Sequence, residues 1–247
     1  SALFYLASAR LLFARWPLDK SEAKAASAPA ALATVLYAGS THAALPLETV
    51  CVAWILWALV LQQTGRMIGK TRIAEQGLLL GAAAFAIAVA VNVYRLGDPA
   101  PVAALPNWLA LAGTTAGLYL MHVRNRAVAR SQSMGSVARS GAFLHAATLL
   151  FALLIWRELP SVTVALAWAA LGLALFELSV PTGSAMLRQQ SHLLMVAVFA
   201  RLFMANFITP GEAFGISHRL ISVVPVIVTL YYLRARMLEL LPEAKPE

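Results

Sequence analysis

The chain has 247 residues, 60% of them hydrophobic and 12% charged, with a mean hydropathy of +0.74. A water-soluble domain carries about twice that share of charge, because it must cover its surface with it, so most of this exterior faces something other than water. The net charge of +8 gathers in short links between apolar blocks. There it sets topology beside anionic headgroups, and no basic stripe with interleaved aromatics is left for nucleic acid.

The first stretch, SALFYLASARLLFARW over residues 1–16, is apolar and then basic, and reads as the end of a transmembrane helix of a preceding unit. Eight apolar blocks follow, at 28–45, 48–65, 74–95, 104–123, 140–157, 161–179, 189–208 and 216–233. Each is long enough to cross a hydrocarbon core as a helix, and none alternates as a barrel strand would. Every second link is the basic one: Arg15, Lys20 and Lys24; then Arg66, Lys70 and Arg72; then Arg124, Arg126, Arg130 and Arg139; then Arg188; then Arg234 and Arg236. The positive-inside rule puts these links, and a tail over 237–247, in the cytoplasm. The expected fold is all-α and integral to a membrane, with about eight transmembrane helices.

An internal repeat organises the helices. Residues 28–92 laid over 142–206, at a constant offset of 114, give 21 identities in 65 positions, where composition alone gives about six. The matches include Pro46 with Pro160, Thr49 with Thr163, Trp54 with Trp168, Gln76 with Gln190 and Asn92 with Asn206. With a two-residue slip, LYLMHVR at 118–124 faces LYYLRAR at 230–236. The expected units are 28–124 and 140–236, four helices each. An even number of crossings makes them parallel rather than inverted copies.

The runs LPSVTVALAWAALGLALFELS and LRQQSHLLMVAVFARLFMANF resemble the repeating unit of long, uncharacterised bacterial multi-pass membrane proteins. The resemblance covers both units and implies architecture and a bacterial cytoplasmic membrane; it carries no activity. The first unit departs from the pattern, with Gln62 and Gln63 where the second has Phe176 and Glu177.

Ionisable residues in a span are costly and turn towards the bundle interior or water. Arg201, near the middle of block 189–208, is the foremost candidate, followed by Glu177, His145 and His192, which read as lining an inner-half cavity. Asn206 and its match Asn92 read as interhelical hydrogen-bonding groups, and Trp54 and Trp168 as packing residues. The five histidines show no i, i+3 or i, i+4 pair and no ExxH, so no metal site and no resident cofactor is expected; haem or a pigment is the outlying reading. The lone Cys51 leaves no intramolecular disulfide and no CxxC site. No GxSxG, HExxH, P-loop or GxGxxG occurs. The leading expectation is a non-catalytic scaffold or accessory subunit, partnered by the bilayer and by other membrane subunits or an upstream part of the same polypeptide. A transporter or channel with a site near Arg201 is the alternative.

Overall fold

The computed structural model describes residues 27–67, 71–94, 105–129, 134–206, 212–213 and 216–240. The helix end expected at 1–16 and the tail beyond Leu240 lie outside the described residues. Eight α-helices are described: α1 (Ser27–Ala44), α2 (Leu47–Met67), α3 (Thr71–Ile87), α4 (Asn107–Ala129), α5 (Met134–Glu158), α6 (Ser161–Thr182), α7 (Ala185–Arg201) and α8 (His218–Leu240). Two π-helical segments, Ala88–Val93 and Leu202–Asn206, continue α3 and α7. A ladder of two residues per strand, Glu212–Ala213 with Ile216–Ser217, precedes α8.

Among the described residues, five stretches are long and apolar enough to cross a membrane: Leu47–Met67, Arg72–Val93, Gly141–Glu158, Ser161–Thr182 and Arg219–Leu240. The others are more polar, and in α4 and α7 the polar residues turn inward. Thr114, Thr115 and His122 of α4 are buried, as are Gln190 and Ser191 of α7. Large apolar side chains stand on the outside instead, among them Leu79, Leu193 and Met204. This inversion is what a bundle with an apolar surround requires.

Local structure repeats where the sequence does. Helices α2 and α6 open at Leu47 and Ser161, α3 and α7 at Thr71 and Ala185, and the π-helical segments at Ala88 and Leu202, each pair 114 positions apart. Before α2 and α6 stands a proline, whose missing N–H costs nothing at a helix start. The hydroxyls of Thr49 and Thr163 donate back to the carbonyls of Pro46 and Pro160 at 2.8 and 2.9 Å. Helix α6 ends on Gly183 at φ 59°, and the Gly183 and Ser184 amides bond the carbonyls of Val180 and Ser179. That closing turn needs a left-handed residue, which glycine supplies without strain.

The described residues up to Leu154 form one compact unit, and those from Ile155 a second. In the first, Ile55 and Leu61 of α2, Leu80 of α3, Leu118 of α4 and Leu150 of α5 share one core. In the second, Phe176 of α6, Val198 of α7 and Leu233 of α8 do. The division at 154–155 differs from the sequence boundary in the 124–140 link, because most of α5 packs with the helices before it. The side chains give the reason. Helix α1 is tied to α2 by Tyr37 Oη donating to the Ala53 carbonyl at 3.2 Å, by Trp54 Nε1 donating to Thr41 Oγ1 at 3.0 Å, and by the Tyr37–Trp57 stack at 4.5 Å. At the matched positions Phe151 and Ile155 offer no hydroxyl and Leu171 no aromatic ring, while Trp168 keeps the indole of Trp54. The bond described from α5 runs to α4, between Thr148 Oγ1 and Tyr119 Oη at 3.0 Å.

Helices α2 and α3 cross at the same matched positions as α6 and α7, with the glycine on opposite sides. A Cβ on Gly77 of α3 would lie 2.7 Å from the Ala58 carbonyl oxygen of α2. At the matched crossing the glycine is Gly172, on α6, where a Cβ would run into the Met195 side chain of α7 and lie at ordinary contact distance, 3.5 Å, from the Ser191 carbonyl. Close backbone approach through small residues is how helices gain packing where no hydrophobic effect drives them together. Gly77→Ala is expected to lower the midpoint of detergent unfolding by the equivalent of about 1–3 kcal/mol, since backbone must move. Gly39, with nothing within 4 Å of its Cβ position, is the control, and Gly39→Ala leaves the midpoint unchanged or raises it by up to about 1 kcal/mol. Equal effects of the two would contradict the crossing.

Candidate functional site

Polar groups inside an apolar bundle are the places where this chain has chemistry to offer, and the first unit organises them around Asn92. The amide sits in the first π-helical segment, where the Tyr94 N–H reaches back five residues to the Val89 carbonyl at 3.1 Å. Widening a helix by one residue per turn leaves backbone groups out of register, and such groups need outside partners. Asn107 Nδ2, at the start of α4, donates to the Asn92 carbonyl at 3.0 Å. Asn92 Nδ2 donates to the Glu48 carbonyl of α2 at 2.8 Å, and its Oδ1 accepts the Cys51 thiol at 3.8 Å. One 1%-exposed residue therefore joins three helices. Asn206 holds the matching place in the second π-helical segment, and its side chain lies outside the described residues.

Arg201 is the last residue of α7, and the π-helical segment continues that helix through Asn206. The helix starts four residues before the apolar block, which sets Arg201 in the C-terminal part of its described length. Its Nη2 donates to Ser161 Oγ, on the first residue of α6, at 3.0 Å. The guanidinium thus reaches towards a helix end, as a long charged side chain does when it seeks polar surroundings. Its Nε is buried without a partner among the described residues.

Glu177 is held at the other end of α6. Tyr232 Oη of α8 donates to Glu177 Oε1 at 2.9 Å, and Arg236 Nε lies 3.6 Å from the same oxygen. Arg236 also donates from Nη1 to Glu239 Oε2 at 2.6 Å. The first unit ties the corresponding helices differently, through Arg66 Nη2 of α2 donating to Asn125 Oδ1 of α4 at 3.0 Å. Second and fourth helices are joined in both units by unlike residues. His145 is exposed on α5 in the first unit, while His192 is exposed on α7 in the second with Glu177. Among the described residues no three of His, Cys, Asp and Glu gather to hold a metal ion.

Sequence reasoning singled out Asn92 through its recurrence but missed Tyr119, Thr148, Tyr37 and Thr41, whose hydroxyls carry interhelical bonds. The signal for two of them was present, since Tyr119 lies in the repeated LYL run and Thr148 matches Thr34. It also missed the significance of Gln62. That residue is 1% exposed, with neither amide atom bonded among the described residues, and its match Phe176 is as fully buried. A buried amide left unpaired costs about 1–3 kcal/mol.

The two buried amides should therefore respond to substitution with opposite signs. Asn92→Leu removes the interhelical bond to the Glu48 carbonyl and lowers unfolding stability by about 1–2 kcal/mol, within the range for interhelical bonds in lipid. Gln62→Met keeps the volume, removes the unpaired amide and raises stability by about 1 kcal/mol. Denaturant titration in detergent reads both; a loss of stability in Gln62→Met would mean that the amide is bonded by a group outside the protein. Compared with known protein families, characterised proteins and solved structures, the chain matches none.

Proposed function

We propose that this is a polytopic protein of a bacterial cytoplasmic membrane that acts as a non-catalytic scaffold or accessory subunit, packing against other membrane subunits or further units of its own polypeptide. It spans the membrane eight times, with the C-terminal tail cytoplasmic, and its helices form two parallel four-helix repeats. The repeat reading is supported by the 114-residue spacing of helix starts, of the Pro–Thr turns and of the two π-helical segments. Isolated π-helical turns occur in well under 1% of residues, so their return at the same offset is not a matter of composition.

One observation carries the scaffold reading: the bonds between helices that the polar side chains make tie neighbours of the same unit. Asn92, Trp54 with Thr41, Tyr119 with Thr148, and Arg201 with Ser161 are all engaged in this way. A transport site needs donors turned to a polar space and free for a solute. Packing residues that recur while charges differ between copies fit a structural role.

The test uses the full chain purified from its native membrane in mild detergent, together with Arg201→Met. The expected result is a stoichiometric membrane assembly that survives the substitution with a modest loss of stability. In proteoliposomes Arg201→Met leaves solute flux unaltered. A solute flux abolished by Arg201→Met while the unfolding profile stays unchanged would replace the scaffold reading by the transporter reading.

A further inference from the structure

We propose that Arg66, Asn125 and Arg124 of the first unit hold a phosphate group, supplied at the cytoplasmic membrane surface by the headgroup of an anionic phospholipid. The inference rests on the repeat reading and on the cytoplasmic placement of the 66–72 link, and it adds a ligand to the scaffold. Arg66 lies one residue before the end of α2 and Asn125 four before the end of α4. Arg66 Nη2 donates to Asn125 Oδ1 at 3.0 Å, and Arg124 lies near enough for its like charge to act on Arg66. No carboxylate among the described residues pairs with either arginine. Asn125 Nδ2 is buried with no acceptor among the described residues. Donors and positive charge are thus gathered at one place, with a single amide oxygen to receive them.

In the second unit the matching arginine is neutralised from within. Arg124 corresponds to Arg236, whose Nε lies 3.6 Å from Glu177 Oε1 and whose Nη1 lies 2.6 Å from Glu239 Oε2. Tyr232 Oη donates to the same Glu177 oxygen at 2.9 Å. Where the second unit has Glu177, Glu239 and Tyr232, the first has Gln63, Ala127 and Leu120, and Arg66 stands at the place of Val180. One arginine with two carboxylates becomes two arginines with none. The adjoining stretches 68–70 and 126–133 add Lys70, Arg126 and Arg130 and no acidic residue.

Two guanidinium groups brought together repel, and the more so as the surroundings become less polar. An oxyanion between them removes that cost and supplies the missing acceptors. Phosphate suits the place best, because its oxygens match the planar fork of arginine and accept from it in pairs. Basic pockets between helices on the cytoplasmic side hold anionic headgroups in this way. The neighbouring surface fits a lipid rather than a free ion. Leu120 precedes Arg124 by one helical turn on the same face and is 41% exposed, so an acyl chain can lie along it while the phosphate meets the arginines.

Native mass spectrometry of the full chain, purified from its membrane in mild detergent and supplied with phosphatidylglycerol, tests this. The chain should retain the lipid, and Arg66→Gln with Arg124→Gln should lower retention several-fold. Gln63→Glu restores the carboxylate of the second unit, keeps both arginines, and should displace the lipid to a similar extent; it also serves if the double variant accumulates poorly. Arg236→Gln, which removes a cation already paired, should leave retention unchanged. Phosphatidylglycerol should also raise the unfolding midpoint of the native chain more than phosphatidylcholine does, and inorganic phosphate should not reproduce the rise. Equal retention in the native chain and both first-unit variants overturns the site, as does an equal loss in Arg236→Gln. A rise produced by inorganic phosphate alone overturns the lipid as the source. These outcomes leave the repeat and scaffold readings standing, since neither depends on a bound lipid. Gly69→Cys labelled from the outer side would instead overturn the cytoplasmic placement, and the leaflet assigned to the site with it.

Discussion

A hydrocarbon surround offers no hydrogen bonds, so each polar group a helix carries into it must find a partner within the bundle. The rest of this structure depends on that constraint. Asn92 meets it most fully, since the π-helical turn around it frees a carbonyl that Asn107 satisfies while its own amide bonds the Glu48 carbonyl. The turn and the amide explain one another. Without the partners from α2 and α4 the widened turn would leave backbone groups bare, and without the widened turn the amide would have less to join.

The same constraint accounts for how two similar units come to differ. Helix α1 carries Tyr37 and Thr41, and it is bonded to its own α2. Helix α5 carries Phe151 and Ile155 at those places, and its bond from Thr148 goes to α4 instead. The helix crossings tolerate change in a complementary way. The glycine moves from α3 in one unit to α6 in the other, and close approach survives because either helix can supply the missing Cβ.

Much of the helix pattern was legible in the sequence because the apolar blocks are long and the links are short. The Pro–Thr helix starts were legible too, since prolines at the end of one apolar block and the start of the next leave little choice. The candidate site was legible only in part. Recurrence pointed to Asn92, and Arg201 was expected in mid-span from a block that began four residues after the start of α7, because Arg188 set the block's edge in a hydropathy reading. The hydroxyl partners Tyr119 and Thr148 could not be picked out, because a tyrosine and a threonine 29 residues apart become a pair only once the helices are packed. Gln62 looked like a departure from a pattern, and its buried, unbonded amide is visible only in three dimensions.

The arrangement proposed for this protein has two four-helix repeats in the membrane in the same sense, so that matched residues occupy matched depths. Spin labels at Leu79 and Leu193, and at Val35 and Leu149, read this directly, since all four side chains are exposed on the bundle surface. Each pair lies 114 positions apart. Power saturation with oxygen and a polar nickel reagent gives the depth of each label. Parallel units require Leu79 and Leu193 to lie at one depth in the cytoplasmic half of the bilayer, and Val35 and Leu149 to share one depth near its middle. A pair whose members sit in opposite leaflets would contradict parallel repeats, and with them the whole arrangement of ties described above.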